Sequence, residues 1–288
     1  MLQRVDRIQL AAPDRKAAAR GWLALLGAEP AGEDRVRALG ARRSRYRLGA
    51  GWLEILEPDG AGAVADAVSA RGAHLFAAGA SARDLGALVE RLRARGGAPR
   101  VEGGQAFLAP EDTGVPGLRV VLSAEEPAPP VGALEALYEV TGLVHDAPAA
   151  AAACAERFGL DPGAFVPIAS KPYGYDGTLT LFDSERLDRF ELITPRDPEK
   201  TMGRFFARWG ECLYMAFAET GELAAVEERA REQGAAFTAV PPPGQRDARG
   251  AHTLFLHPPA LGGMLLGLSR RGWAWTWSGH PERAQAAP

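Results

Sequence analysis

The stretch Gly203–Gly234, GRFFARWGECLYMAFAETGELAAVEERAREQG, decides the fold because it predicts a strand that runs into a helix. In its second part, Tyr214–Gly234, apolar residues recur at helical spacing after the strand, with charged residues between them. The segment Leu254–Ser269, LFLHPPALGGMLLGLS, predicts two more strands joined through a Gly-Gly turn. The end of the chain therefore has the order strand, helix, strand, strand.

The same order of patterns closes the first half of the chain. His74–Arg95 predicts a strand followed by an amphipathic helix. Gln105–Pro110 then precedes the apolar strand Leu118–Ser123, just as the corresponding segments do at the end of the chain. A repeated order of elements indicates an internal duplication.

Each half also begins in the same way. Val5–Leu10 and Leu137–Val144 predict strands, and each is followed by an alanine-rich helix that ends at a glycine. Two similar strands, Trp52–Pro58 and Arg189–Pro195, each end at a proline. The chain is therefore predicted to contain four strand-helix-strand-strand-strand modules of roughly 60 residues each.

The acidic, proline-rich segment Ala124–Pro130, AEEPAPP, divides the two halves, because such a composition favours an extended connector. We predict a first domain at 1–123, a linker at 124–133 and a second domain at 134–272, each domain with two modules. The remaining segment, 273–288, has three alternating tryptophans, which we expect to pack against the chain's own sheet or a dimer partner.

Composition limits the classes of partner. The 288 residues are 47% apolar with a net charge of −3, which predicts a globular protein and excludes the basic surface of a nucleic-acid binder. The sequence has no apolar stretch of the roughly 20 residues that cross a bilayer, and its start does not resemble a signal peptide. We therefore expect a cytoplasmic protein without nucleic-acid or membrane partners, either a monomer or a homodimer. Its two cysteines, Cys154 and Cys212, are predicted to be buried thiols.

The segments Gly203–Gly234 and Leu254–Ser269 resemble the second module of methylmalonyl-CoA epimerases and glyoxalases, members of the vicinal oxygen chelate superfamily. This resemblance implies an α+β fold in which four βαβββ modules form two paired-module domains, with curved mixed sheets around cavities. It also implies a divalent metal held by four inward side chains. Extradiol dioxygenases and bleomycin-resistance proteins belong to the same superfamily.

The positions that correspond to the family's metal ligands are largely replaced. In the second half these positions are Glu139, Glu191, Tyr214 and Gly267, and only Glu191 matches the family pattern. In the first half they are Arg7, Glu54, His74 and Val121. Arginine carries no lone pair for a cation, and glycine and valine carry no ligand atom. We therefore predict no tightly bound cofactor, with a divalent metal at Glu54, His74, Glu139 or Glu191 as the weaker alternative.

We predict an acid–base set of Glu139, Glu191 and Tyr214, because residues of equal phase on neighbouring strands share one face and paired carboxylates raise one another's pKa. Five further residues are predicted to bind a substrate: Lys171, Tyr173, Tyr175, Thr141 and Phe217. Three alternatives stay open. Glu191 pairs with a basic neighbour or a tyrosine hydroxyl, the segment Lys171–Gly177 is an ordinary turn before a predicted strand at Thr178–Phe182, and His74 binds a backbone group or water.

The predicted function is the binding of a small oxygenated organic molecule in a cavity with a degenerate metal site. Proton transfer, isomerisation or lyase chemistry without a metal is the expected activity. A non-catalytic protein that sequesters a drug or metabolite, as bleomycin-resistance proteins do, is the first alternative. A metal-dependent lyase, isomerase or dioxygenase with unusual carboxylate ligands is the second.

Overall fold

The first half of the chain forms two βαβββ modules. The computed structural model describes residues 1–240 and 251–284. The first module comprises β1 (Leu2–Ala11), α1 (Arg15–Leu26), β2 (Glu29–Val36), β3 (Ala41–Leu48) and β4 (Gly51–Pro58). After α2 (Ala63–Arg71), the second comprises β5 (His74–Ala82), α3 (Leu85–Ala94), β6 (Arg100–Glu102), β7 (Gln105–Leu108), α4 (Pro110–Thr113) and β8 (Val120–Ala124).

The second half repeats this order. Its first module comprises β9 (Ala136–Leu143), α5 (Ala147–Phe158), β10 (Val166–Ser170), β11 (Tyr175–Leu181) and β12 (Arg189–Pro195). After α6 (Thr201–Trp209), the last module comprises β13 (Cys212–Thr220), α7 (Leu223–Glu232), β14 (Phe237–Val240), β15 (Thr253–Leu256) and β16 (Leu265–Arg270). The predicted α+β class with four βαβββ modules is confirmed.

Local sequence signals define the first helix of each half. The Asp14 side chain accepts hydrogen bonds from the N–H groups of Lys16 and Ala17, and the left-handed Gly27 (φ 67°) ends α1. Asp146 and Gly159 (φ 72°) do the same for α5. These caps explain why both helix bounds could be read from the sequence.

The strands form two eight-stranded mixed sheets, each drawn from one half of the chain. Their orders are β2-β3-β4-β1-β5-β8-β7-β6 and β10-β11-β12-β9-β13-β16-β15-β14. In every module the first strand pairs in parallel with the last: β1 with β4, β5 with β8, β9 with β12 and β13 with β16. The other pairs within a module, such as β3 with β4 and β11 with β12, are antiparallel. The first and last strands of a module are therefore neighbours.

The chain divides into two compact units. One consists of Met1–Val5, Ala77–Glu126 and Glu139–Tyr214, and the other of Asp6–Phe76, Pro127–Tyr138 and the described residues of Met215–Pro288. Each unit thus contains most of one module from each half. The domain bounds predicted above remain a prediction. Among the described residues, no helix is long and apolar enough to cross a membrane.

One local prediction needs correction. The strand predicted to start at Thr178 begins at Tyr175, because Tyr175 pairs with Ser170 and the hairpin closes through Gly174, whose N–H donates to the Ser170 carbonyl at 2.7 Å. The tryptophan segment forms a 3₁₀ helix, Trp273–Trp277. Its Trp277 packs on Phe217 of β13 with ring centroids 6.3 Å apart, so the segment docks on the chain's own sheet as expected.

Candidate acid–base site

Two neighbouring strands, β9 and β12, bring the predicted carboxylates together. In their parallel pairing Glu139 is the partner of Arg189, and Thr141 is the partner of Glu191. The intervening Phe190 packs edge-to-face on Phe158 of α5, with ring centroids 6.0 Å apart. Because side chains alternate along a strand, Arg189 and Glu191 face away from that helix.

Glu139 has a buried counter-ion that the sequence did not reveal. The Arg189 Nε donates to Glu139 Oε2 at 2.6 Å, and the two side chains are 0% and 1% exposed. A second nitrogen, Arg189 Nη1, donates to the Leu187 carbonyl at 3.1 Å, which fixes the orientation of the guanidinium. The basic neighbour of Glu191 on β12 is Arg189, and it pairs with Glu139.

Glu191 forms no ion pair within 4 Å in the part of the chain that the structure describes, and it is held by a hydroxyl group. Thr141 Oγ1 donates to Glu191 Oε2 at 2.5 Å and lies 3.5 Å from Glu139 Oε1. Burial raises the pKa of Glu191 well above its usual 4.5, and the charge of Glu139 and a hydrogen bond to it raise the pKa further. Thr141 and Arg189 oppose this rise. The arrangement stabilises a protonated Glu191 beside a paired carboxylate.

Tyr175, at the start of β11, has a phenol whose pKa is affected by both carboxyl groups. Burial raises its pKa above the usual 10, and the charges of Glu191 and Glu139 raise it further. The phenol therefore keeps its proton and can donate a hydrogen bond over the physiological pH range. Tyr175 was predicted only as a substrate contact.

Tyr214, predicted as the third member of the acid–base set, packs among aromatic side chains. Its ring packs edge-to-face on Phe205 at 4.9 Å, and its pKa is raised by burial and by Tyr173. Neither carboxyl group is among the causes of that shift. Tyr173 is 47% exposed, and the exposed Lys171 uses its carbonyl to accept from the Lys200 ammonium in the hairpin turn. These contacts fit the turn alternative.

An aromatic ring fills the space beside Gly267, one of the positions that the resemblance assigns to a metal ligand. Phe217 on β13 pairs with Gly267 on β16, and a Cβ added to Gly267 would lie 2.2 Å from Phe217 Cε1. The ring also packs on Tyr138 and Phe255, with centroids 5.9 and 5.7 Å away. Phe217 is thus a packing residue of the second compact unit.

In the first half, Glu54 on β4 is surrounded by nitrogen donors. It is fully buried and accepts from Arg7 at 3.1 Å, from Gln9 at 2.7 Å and from Arg43 at 3.1 Å. His74 Nδ1 lies 2.8 Å from the Gly72 carbonyl, the backbone contact that was considered as an alternative. Val121, at the fourth position, is fully buried in β8.

The residues present do not fit the metal centre that the superfamily implies. Both oxygens of Glu54 are committed to guanidinium or amide donors, Glu139 is committed to Arg189, and Phe217 fills the space at Gly267. Metal coordination needs the same carboxylate lone pairs and several ligands around one point. The described residues contain no group of three or more His, Cys, Asp or Glu side chains that could hold a metal ion.

Three partners of the glutamates were missed from the sequence: Arg189, Arg43 and Gln9. Their signal was available in part, because Arg189 precedes Glu191 by two residues and therefore lies on the same face of β12. Which carboxylate it would meet depends on the pairing of β9 with β12, and no local pattern defines that register.

Comparison with solved structures gives similarity over nearly the whole chain. A triple mutant of 4-hydroxymandelate synthase from Streptomyces coelicolor aligns with a TM-score of 0.69 and 17% identity, covering 98% of this chain and 100% of its own. The chain has the vicinal oxygen chelate fold. No protein-family model matches this chain, and no curated protein sequence does.

Two other solved structures align with this chain. A fusion of a xylose isomerase-like TIM barrel with 4-hydroxyphenylpyruvate dioxygenase aligns with a TM-score of 0.63 and 14% identity, covering 94% of this chain and 49% of that chain. Methylmalonyl-CoA epimerase from Mycobacterium tuberculosis is 20% identical over 48% of this chain and 88% of its own. Its TM-score of 0.39 is too low to support an argument. At these sequence identities the comparisons establish the fold alone.

Proposed function

We propose that this protein binds a small oxygenated organic molecule and moves a proton to or from it without a metal. The observation that carries the proposal is the pair of buried carboxyl groups on β9 and β12, of which, among the described residues, only Glu139 has a counter-ion. Glu191 is left as the carboxyl group whose proton can be gained or lost at a pH closer to neutrality than usual.

Each neighbour of Glu191 has a distinct role in this proposal. Thr141 orients its carboxyl group through a short hydrogen bond. Arg189 balances the charge of Glu139, so that a second buried negative charge on Glu191 costs less during the reaction. Tyr175 donates a hydrogen bond to an oxygen on which negative charge develops.

The reaction class that suits these groups is proton removal from a carbon next to a carbonyl, followed by return of the proton. A carboxylate of raised pKa is a better match for such a carbon acid than an ordinary one. A metal normally stabilises the resulting enolate in this superfamily, and here a phenol hydrogen bond supplies the corresponding stabilisation. Isomerisation and lyase chemistry both begin with this step.

Hydrogen exchange tests the proposal without knowledge of the natural substrate. A panel of 2-hydroxy acids, 2-oxo acids and acyl thioesters is incubated with the protein in deuterium oxide, and loss of the proton next to the carbonyl is followed by NMR. We expect at least one compound to exchange, and Glu191→Gln to slow its exchange by about 100-fold or more. Glu199→Gln, at an exposed position after β12, is the matched control and should exchange at the wild-type rate.

A titration provides the second readout. The carboxyl signal of Glu191, assigned in ¹³C-labelled protein by comparison with Glu191→Gln, should titrate above the usual Glu value of 4.5. Equal exchange in wild type and Glu191→Gln would contradict the catalytic role. A Glu191 carboxyl that titrates at or below its usual value would remove the physical basis of the proposal.

A further inference from the structure

A group of arginines lies on one face of the first module, outside the candidate acid–base site. On β3, Arg43, Arg45 and Arg47 alternate with Ser44 and Tyr46, so the three guanidinium groups share a face. The pairing of β3 with β4 sets Arg45 opposite Glu54 and Arg47 opposite Trp52. All of these residues belong to the same compact unit.

The group has a buried layer and a more accessible layer. Arg7 and Arg43, with side chains 2% and 6% exposed, are paired with Glu54 and also with Asp6 and Asp34 respectively. Arg45 is 30% exposed, and its Nε lies 3.9 Å from Glu54 Oε1. Arg47 forms no ion pair with any described residue, and its Nη2 donates to the Pro129 carbonyl at 3.2 Å. Arg45 and Arg47 thus form the more accessible layer, whose positive charge is not fully balanced by the neighbouring carboxylates.

Trp52 holds these two arginines in place. The guanidinium carbons of Arg45 and Arg47 lie 4.4 and 4.9 Å from its ring centroid. Cation–π contacts of this kind restrict a flexible side chain and leave the planar edge of the guanidinium for an anion. The restriction lowers the entropy that anion binding would otherwise cost.

Three buried polar atoms on this face have no hydrogen-bond partner among the described residues. Two are donors, the Nε–H groups of Arg45 and Arg47, and the third is an acceptor, Gln9 Oε1. Gln9 is fully buried, and its amide nitrogen donates to Glu54 Oε2, so its carbonyl oxygen must point elsewhere. Buried donors and acceptors without partners cost free energy, and a ligand that supplies the missing partners is bound more tightly for that reason.

We infer that this face, defined by Gln9, Arg45, Arg47 and Trp52, is a second small-molecule site that binds a 2-hydroxy carboxylate. The carboxylate accepts from the two arginines, and the hydroxyl donates to Gln9 Oε1. The inference is independent of the proposed function, because Glu139 and Glu191 belong to the other compact unit.

Calorimetric titration of the full chain with a matched pair of acids tests the site. Lactate and propionate have the same carbon skeleton and charge and differ only in the 2-hydroxyl group. We expect lactate to bind more tightly than propionate, and to bind about 10-fold or more weakly to Arg45→Gln and to Arg47→Gln. Arg42→Gln is the control, because Arg42 lies on the same strand with the opposite phase and pairs with Glu57.

Further outcomes separate this site from its alternatives. Gln9→Met should abolish the preference for lactate over propionate. Inorganic phosphate that binds as tightly as lactate would overturn the assignment to hydroxy acids. No saturable lactate binding to the wild-type protein, or equal binding by Arg45→Gln, would overturn the site itself.

Discussion

At the level of single residues, each sheet has a buried ion pair between the first and fourth strands of its first module, but the charges are arranged in opposite ways. In the first sheet an arginine on the first strand, Arg7, pairs with Glu54 on the fourth. In the second sheet the glutamate is on the first strand, Glu139, and the arginine, Arg189, is on the fourth. Because Arg189 lies two residues before Glu191 and pairs with Glu139, Glu191 forms no ion pair among the described residues, whereas Glu54 is fully paired.

Removal of one partner of the Glu139–Arg189 pair should be strongly destabilising. Arg189→Met leaves a buried carboxylate without its counter-ion, and we expect the free energy of unfolding to fall by about 3–5 kcal/mol. The double variant Glu139→Gln, Arg189→Met should recover most of that loss. Urea unfolding of the single and double variants measures the coupling.

The exposed pair Arg196–Asp176 is the control for this cycle. Its side chains are 58% and 46% exposed, so Arg196→Met should cost less than about 1 kcal/mol. A similarly small effect of Arg189→Met would show that the buried pair does not organise the site.

Asp188 should make the protein less stable as the pH rises. Burial raises its pKa from 3.8 to about 6, against the opposing effects of Arg186 and of the Val5 N–H, which donates at 2.7 Å. The folded state therefore holds a proton that the unfolded state releases. This contribution is fully present below pH 3.8 and is lost as the pH rises through about 6, a difference of about 3 kcal/mol.

Asp188→Asn should remove this pH dependence and raise the free energy of unfolding above pH 6. Urea unfolding of wild type and variant from about pH 4 to pH 8 measures the difference. Asp183→Asn, at an exposed position in the preceding turn, is the control. If the wild type and Asp188→Asn differ by the same amount at every pH, Asp188 does not titrate in this range.

The sequence identified the carboxyl groups of the site but not all of their partners. Glu139 and Glu191 could be placed on one face because strand phase is a local property. Arg189 as the counter-ion and Tyr175 as the phenol depend on strand register and on the length of the β10–β11 turn. Such information is set by packing across the sheet.

At the level of elements, the pairing of β13 with β16 buries Gly267, the position that the resemblance assigns to a metal ligand. Gly267 is opposite Phe217, whose ring covers the glycine and packs between Tyr138 and Phe255. The sequence revealed the missing carboxylate at Gly267. It could not reveal the replacement, because Phe217 is distant in sequence and meets Gly267 only through the parallel pairing.

A side chain at Gly267 should therefore destabilise the β13–β16 region. Gly267→Ala brings a Cβ within 2.2 Å of Phe217 Cε1, and we expect a loss of about 1–3 kcal/mol from overpacking. Combining it with Phe217→Leu should recover part of this loss, since the smaller side chain makes room. Thermal or urea unfolding of the four proteins gives the coupling energy, and strictly additive effects would contradict the contact.

Helices and strands were predictable where their ends carry a chemical signal. The aspartate caps and closing glycines defined α1 and α5, and the terminal prolines defined β4 and β12. The start of β11 was displaced because a tight turn pairs Ser170 with Tyr175.

At the level of the whole molecule, the chain has the fold that the resemblance implies, but the residues at the implied metal-ligand positions do not fit a metal. The 4-hydroxymandelate synthase mutant aligns over 98% of the chain at only 17% identity. The order of strands and helices depends on hydrophobic periodicity and turns, which tolerate many substitutions. A metal site depends on a few side chains, and here their positions hold arginine, glycine, valine, tyrosine or a carboxylate with other partners.

The most direct test of this account is the metal content of the protein purified without chelators or nickel affinity chromatography. After equilibration with magnesium, manganese, zinc and, without oxygen, iron(II), elemental analysis should find far less than one metal per chain. The small amount found should be unchanged in Glu54→Gln and Glu191→Gln. Close to one metal ion per chain, lost in either variant, would contradict the conclusion that these residues do not fit a metal centre.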